Sequence, residues 1–230
     1  SGTLHLAGEW VAMGSFNLKK GDRFDLSKAA PGLQTVRIGM GWSPNEEPGG
    51  PDFDLDVSAF AIGKTFKIAS DSHFVFYGQV NMGNGIEDTK EKGLFRPVSD
   101  DRAILGAIDD PDGRRSGEGD DKEDMLINLP RVSAAVEQII ICVTICKYPN
   151  DTNKDRRTLA QNFGMVDDCY IRILNESNDM ELARYDLKES FGDEDAVEFG
   201  RLYRDGISWQ FEAMGRGHSG SLGELMSIYT

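Results

Sequence analysis

Cysteine, histidine and positive charge are all scarce in this chain. Its 230 residues include three cysteines, three histidines and 25 basic against 39 acidic residues, a formal net charge of −14. Three cysteines are too few for a disulfide scaffold. Cys142 and Cys146 fall in the apolar run "IIICVTICKY", where reduced cysteine behaves as a small hydrophobe. A structural zinc centre would want a C-x2-C pair or nearby histidines, and neither is present. The acidic excess argues against nucleic acid, whose binding depends on basic side chains releasing counterions from phosphate. It also disfavours docking on anionic lipid unless a cation inverts the local field. No apolar run approaches the roughly 18 residues of a spanning helix, and no charged-then-apolar leader opens the chain. A reducing, cytoplasmic setting is the expectation.

What is present is β pattern. Short alternating segments recur at 5–13, 34–42, 54–62, 73–78, 124–129, 138–148, 168–175, 180–187, 196–204 and 208–214, punctuated by Gly, Asn and Asp. Many short strands with turn residues between them predict an all-β fold, a sandwich or a barrel. Helical signals are few: 129–138, starting near Pro130, and 221–228. Residues 100–124 carry ten acids against four bases. The middle of this region reads as a solvated insertion, apart from the apolar "AILGAI" at 103–108, which is expected to anchor onto the domain's own surface, with a partner-binding finger as the alternative.

"DFDLDVSAF" puts Asp52, Asp54 and Asp56 at every second position of a strand. Side chains alternate between faces, so the three aspartates share one face and Phe53, Leu55 and Val57 the other. Like charges at that spacing need a counter-charge. Asp71 in "ASDSHFVFYG" and the run "SGEGDDKED", with Glu118, Asp120, Asp121 and Asp124, add further carboxylates. Ca2+ takes six to eight hard oxygen ligands in irregular geometry, which loop carboxylates between strands can supply. An EF-hand is excluded, since Val57 and Gly63 stand at the sixth and twelfth positions counted from Asp52. "GRGHSG" at 215–220 matches a glycine-rich phosphate motif in letters only, because the chain has no room after it for the acidic residue of a dinucleotide site. Nothing in the sequence sets His5, His73 or His218 beside a nucleophile.

Several longer blocks, in order, carry a resemblance: "FNLKKGDRFDLSKAAPGLQTVRIGMGW", "DFDLDVSAF", "SDSHFVFYG", "SGEGDD", "QNFGMVDDCYIRILNE", "ELARYDL" and "FGRLYRDGISWQFEAMGRGHSGSL". From about Ser15 to the C-terminus the chain resembles the TerD family of tellurium-resistance and stress-response proteins. The match is interrupted chiefly within 83–116 and mildly near 44–51 and 147–157. The resemblance implies a β-sandwich of two antiparallel sheets whose acidic loops bind Ca2+, usually two ions. It implies a cytoplasmic protein of stress or phage-defence clusters, working with other Ter proteins near the membrane. Matched motif by motif, it assigns Asp54, Asp56, Asp71, Glu118, Asp120 and Asp121 as ligands, with Asp52 a weaker candidate. His73 stands where an acid is common. The family's H-T-G-D-N segment survives only as Asp88-Thr89-Lys90-Glu91-Lys92.

The expected organisation is an N-terminal extension, 1–14, that could add a strand and is in part a cloning remnant. A single TerD-like sandwich, 15–230, follows, with a long acidic loop insertion at about 90–116. Deletion of 92–115 is expected to leave Ca2+ binding within roughly tenfold, or about 1.4 kcal/mol. The expected function is a Ca2+-binding, non-enzymatic scaffold or adaptor of a Ter-type assembly, possible at the inner membrane face as a peripheral protein. The rival readings are a Ca2+-dependent membrane-surface module and a metal-dependent hydrolase.

Overall fold

Two six-stranded sheets face each other in this computed structural model, which describes residues 4–6, 9–11, 15–117, 119–146 and 160–230. The first sheet runs Ile104–Leu105, Glu123–Asn128, Thr35–Gly41, Tyr170–Asn175, Met180–Asp186 and Phe16–Asn17. The second runs Arg23–Asp25, Ser208–His218, Ala196–Asp205, Gln138–Ile145, Leu55–Ile62 and Phe74–Val75. All neighbouring pairs are antiparallel except Met180–Asp186 with Phe16–Asn17, which is parallel. Leu4–Leu6 and Glu9–Val11 form a small hairpin within the N-terminal extension.

Alternation explains the interior. Val36, Ile38 and Met40 from the first sheet meet Leu55, Val57, Ile139, Ile141 and Val143 from the second in one buried cluster. The strands Leu55–Ile62 and Gln138–Ile145 are buried along almost their whole length, beyond what half-buried strands would show. The reason is a cover on the outer face. Phe60, Ile62, Ile140 and Cys142 form a second apolar cluster with Leu225 and Tyr229 of the C-terminal helix, Ser221–Tyr229. Tyr229 also donates its hydroxyl to the buried Glu198, whose other oxygen contacts His218 Nε2 at 2.8 Å. The helix expected at 129–138 is reduced to a 3-10 turn at Leu129–Arg131.

The supposed acidic loop is built into the fold. Phe95–Pro97 pairs with Gly85–Glu87, and Ile104–Leu105 adds the edge strand of the first sheet. Ala103, Ile104 and Ala107 join the main core. Arg96 staples the segment: Nε donates to Asp88 Oδ1 at 2.7 Å and Nη2 to Asp124 Oδ1 at 2.8 Å. Burial alone would raise the Asp88 pKa, but bonds from Arg96 and the amides of Glu91 and Lys90 overcome it and hold the carboxyl at about 2. Deletion of 92–115 therefore removes an edge strand and core side chains, and the expectation of a dispensable insertion is withdrawn. Ile104→Ala, which empties a fully buried site, should cost about 2–5 kcal/mol in urea unfolding. A loss under about 1 kcal/mol would mean the segment is only draped on the surface.

Candidate metal centre

One gap in the second sheet positions the site. The edge strand Phe74–Val75 pairs only with Phe60 and Ala59, leaving the first half of Leu55–Ile62 without a neighbour on that side. Glu123, at the start of a strand of the opposite sheet, fills the gap. It lies in phase with Met125 and Ile127, so it points inward, and it is 4% exposed. Its Oε2 accepts the Val57 amide at 3.2 Å, and its Oε1 accepts the Asp110 amide at 3.1 Å.

Carboxyl oxygens of Asp56, Asp109 and Glu123 lie within 4.8 Å of one another, and a second group of Asp54, Asp56 and the Cys146 thiol shares Asp56. Asp54 and Asp56 are 7% and 3% exposed. Asp109 stands at the mouth, exposed as a residue but with its carboxyl in contact with Asp56. Asp110 shapes the turn that presents it, since its Oδ1 accepts the Gly113 amide at 2.9 Å. Two carboxyl oxygens in hydrogen-bond contact require either a proton or a cation between them.

The electrostatics agree with that requirement. Burial first, then the Asp109 charge, pushes the Asp54 pKa up to about 8. Burial and the neighbouring Glu123 and Asp54 charges raise Asp56 well above the usual carboxylate range. Glu123 is raised by burial and by Asp109, against the two amides it accepts. Tyr77, 41% exposed, has its phenol pKa raised by burial and then by the charges of Asp56, Cys146 and Asp54, which puts it at the rim. Among the described residues no Lys or Arg makes an ion pair with Asp54, Asp56 or Glu123. Burial raises the Asp109 pKa; Arg115 opposes this only weakly and is itself held by Glu91 and the Ile108 carbonyl.

The remaining sequence candidates lie elsewhere. Asp71 is exposed at the start of the 3-10 turn Asp71–His73, outside both groups of donors. Glu118 lies outside the described residues. Asp120 is exposed on its loop. Asp121 sits on the outer face of the first sheet, over Gly39, where Arg172 Nη2 donates to it at 2.9 Å and the Tyr170 hydroxyl at 2.7 Å. Lys122 turns its ammonium onto the carbonyls of Ser116 and Gly117, at 3.0 and 2.7 Å, so a side-chain cation already serves that loop.

Residues 14–229 match the TerD domain. The chain belongs to the TerD family. It is 37% identical over 215 residues to general stress protein 16U of Bacillus subtilis, covering 94% of this chain and 97% of the relative. It is 36% identical over 216 residues to tellurium resistance protein TerD of Serratia marcescens, with the same coverage of 94% and 97%. A crystal structure of a TerD homologue from Streptomyces coelicolor superposes with a TM-score of 0.61 at 18% identity, covering 85% of this chain and 96% of that one. That likeness confirms the TerD sandwich fold.

No helix among the described residues is long and apolar enough to cross a membrane. Asp109 and Glu123 are the site residues that sequence reasoning missed. Glu123 had a legible signal, an acid in phase with the core residues of "EDMLIN".

Proposed function

We propose that this chain is a Ca2+-binding, non-catalytic scaffold of a Ter-type stress-response assembly. The stress and tellurium-resistance names of its TerD relatives support the cellular role. The observation that carries the chemistry is a buried group of carboxylates in which Asp54, Asp56 and Glu123 have no basic ion-pair partner, and Asp54 Oδ1 no hydrogen-bond partner, among the described residues. That orphaned oxygen and the all-oxygen set of Asp56, Asp109 and Glu123 fit a hard cation. Asp56, Asp109 and Glu123 would hold the ion, with Asp54 at the flank. Bound there, Ca2+ supplies positive charge that neutralises the carboxylates and cross-links three elements.

The donors come from the free edge of the second sheet, the strand Glu123–Asn128 of the opposite sheet and the turn after 108. Their arrangement is irregular, which suits Ca2+ better than the strict octahedron of Mg2+. The reading is non-catalytic because neither described imidazole serves the cluster: His73 Nδ1 meets Ser70 Oγ and His218 Nε2 meets Glu198. Other Ter proteins are the proposed partners, in the cytoplasm or at the inner membrane face. Chelator-treated protein should gain roughly 3 kcal/mol of stability at a hundredfold excess of Ca2+ over its Kd. That is a rise of about 5–10 °C in melting temperature. Indifference of the melting temperature to millimolar Ca2+ would sink the proposal.

A further inference from the structure

The Asp54, Asp56 and Cys146 group differs from its neighbour in carrying a sulfur donor. Cys146 directly follows the strand Gln138–Ile145, which pairs with Leu55–Ile62 in register. Its amide donates to the Asp54 carbonyl at 2.7 Å, which locks the two chain segments side by side. Its thiol bonds the Asp54 carboxyl, and all three donor atoms lie within 4.8 Å of one another. Asp54 is more than nine-tenths buried, at 7% exposure, and its Oδ1 has no partner among the described residues. A tetrahedral ion with bonds of roughly 2.0–2.3 Å sets its ligand atoms roughly 3.5 Å apart, so a small contraction of this triangle suffices.

We infer that Cys146, Asp54 and Asp56 form a second cation subsite, selective for a thiophilic divalent ion of the zinc class, with Asp56 shared between it and the Ca2+ site. Hard Ca2+ gains nothing from sulfur, whereas a thiolate shifts preference toward borderline and soft metals. Linear spacing argues against zinc in this chain, but the fold brings together donors 90 residues apart. On binding, the metal–sulfur and metal–oxygen bonds form, the thiol proton and the protons held on Asp54 and Asp56 leave to buffer, and no electron moves. The inference rests on the carboxylate-site reading through Asp56 and the flanking Asp54, and Cys146 is what separates the two.

Co2+ titrated into the chelator-treated full chain is the test, because cobalt–thiolate bonds give a charge-transfer band in the near ultraviolet that oxygen ligands do not. The expected result is a band saturating at one equivalent, retained in Cys169→Ala and absent in Cys146→Ser. Asp54→Asn should weaken Co2+ at least tenfold. Cys146→Ser should keep the Ca2+-induced rise in melting temperature, which shows that it folds and that the two subsites are separable. No band in the wild type, or a band persisting in Cys146→Ser, would overturn the subsite whatever Ca2+ does. A wild-type band without any Ca2+ response would instead uphold it and remove the Ca2+ reading alone.

Discussion

Asp56→Asn is expected to make the metal-free protein more stable and at the same time to abolish its response to Ca2+. Asp56 is the residue common to both groups of donors, 3% exposed, and it faces Glu123, Asp54 and Asp109. Without a cation, a buried carboxylate among carboxylates is a liability, and removing it should stabilise by on the order of 1–3 kcal/mol. For a domain of this size that is about 2–10 °C in melting temperature. The same substitution deletes a proposed ligand, so the rise of about 5–10 °C expected from Ca2+ in the wild type should shrink to less than about 1 °C. A variant less stable than wild type in chelator would show that Asp56 is held by partners other than a cation.

The metal-free protein should also lose stability as pH rises from 5 to 8. Asp54, Asp56 and Glu123 have folded-state pKa values raised above the ordinary carboxylate range by burial and by neighbouring carboxylate charges, Asp54 to about 8. Across that window the unfolded chain has already ionised these groups while the folded chain still holds their protons. The folded state binds more protons, so unfolding becomes easier with each step upward in pH. Ca2+ competes with those protons, and its stabilisation should grow over the same interval until the melting curve in millimolar Ca2+ is flat or rising. Below about pH 4 the direction reverses, because Asp88, Asp101, Glu181 and Glu212 have lowered values and lose their ion pairs or hydrogen bonds on protonation. A chelated protein equally stable at pH 5 and pH 8 would contradict the buried-carboxylate account.

The strands were legible because a period of two survives in nearly every one, from "QTVRIGMGW" to "SWQFEAM". The same period placed Asp54 and Asp56 on one face, opposite Leu55 and Val57, as the structure has them. Asp109 was hidden by its neighbours. "DDPDGRR" reads as solvated charge, and only the docking of Ile104 and Ala107 into the core brings Asp109 to the sheet edge. Glu123 depended on a tertiary fact, a strand missing at the edge of the opposite sheet. Asp121 drew attention by its place in "GEGDD", yet Arg172, 51 residues later, claims its carboxylate on the other face of the first sheet. Periodicity shows which face an acid occupies; it does not show which distant cation or carboxylate meets it there.

Calorimetric titration of Ca2+ into chelator-treated wild type, Asp109→Asn and Asp121→Asn tests the central claim most directly. Asp109 is the proposed ligand at the exposed rim, where its replacement leaves the core intact, and Asp121 belongs to the family motif but pairs with Arg172. The account predicts Ca2+ binding to the wild type, a loss of at least about tenfold, 1.4 kcal/mol, in Asp109→Asn, and wild-type affinity in Asp121→Asn. Full affinity in Asp109→Asn together with loss in Asp121→Asn would move the ion to the glycine-rich loop and contradict it.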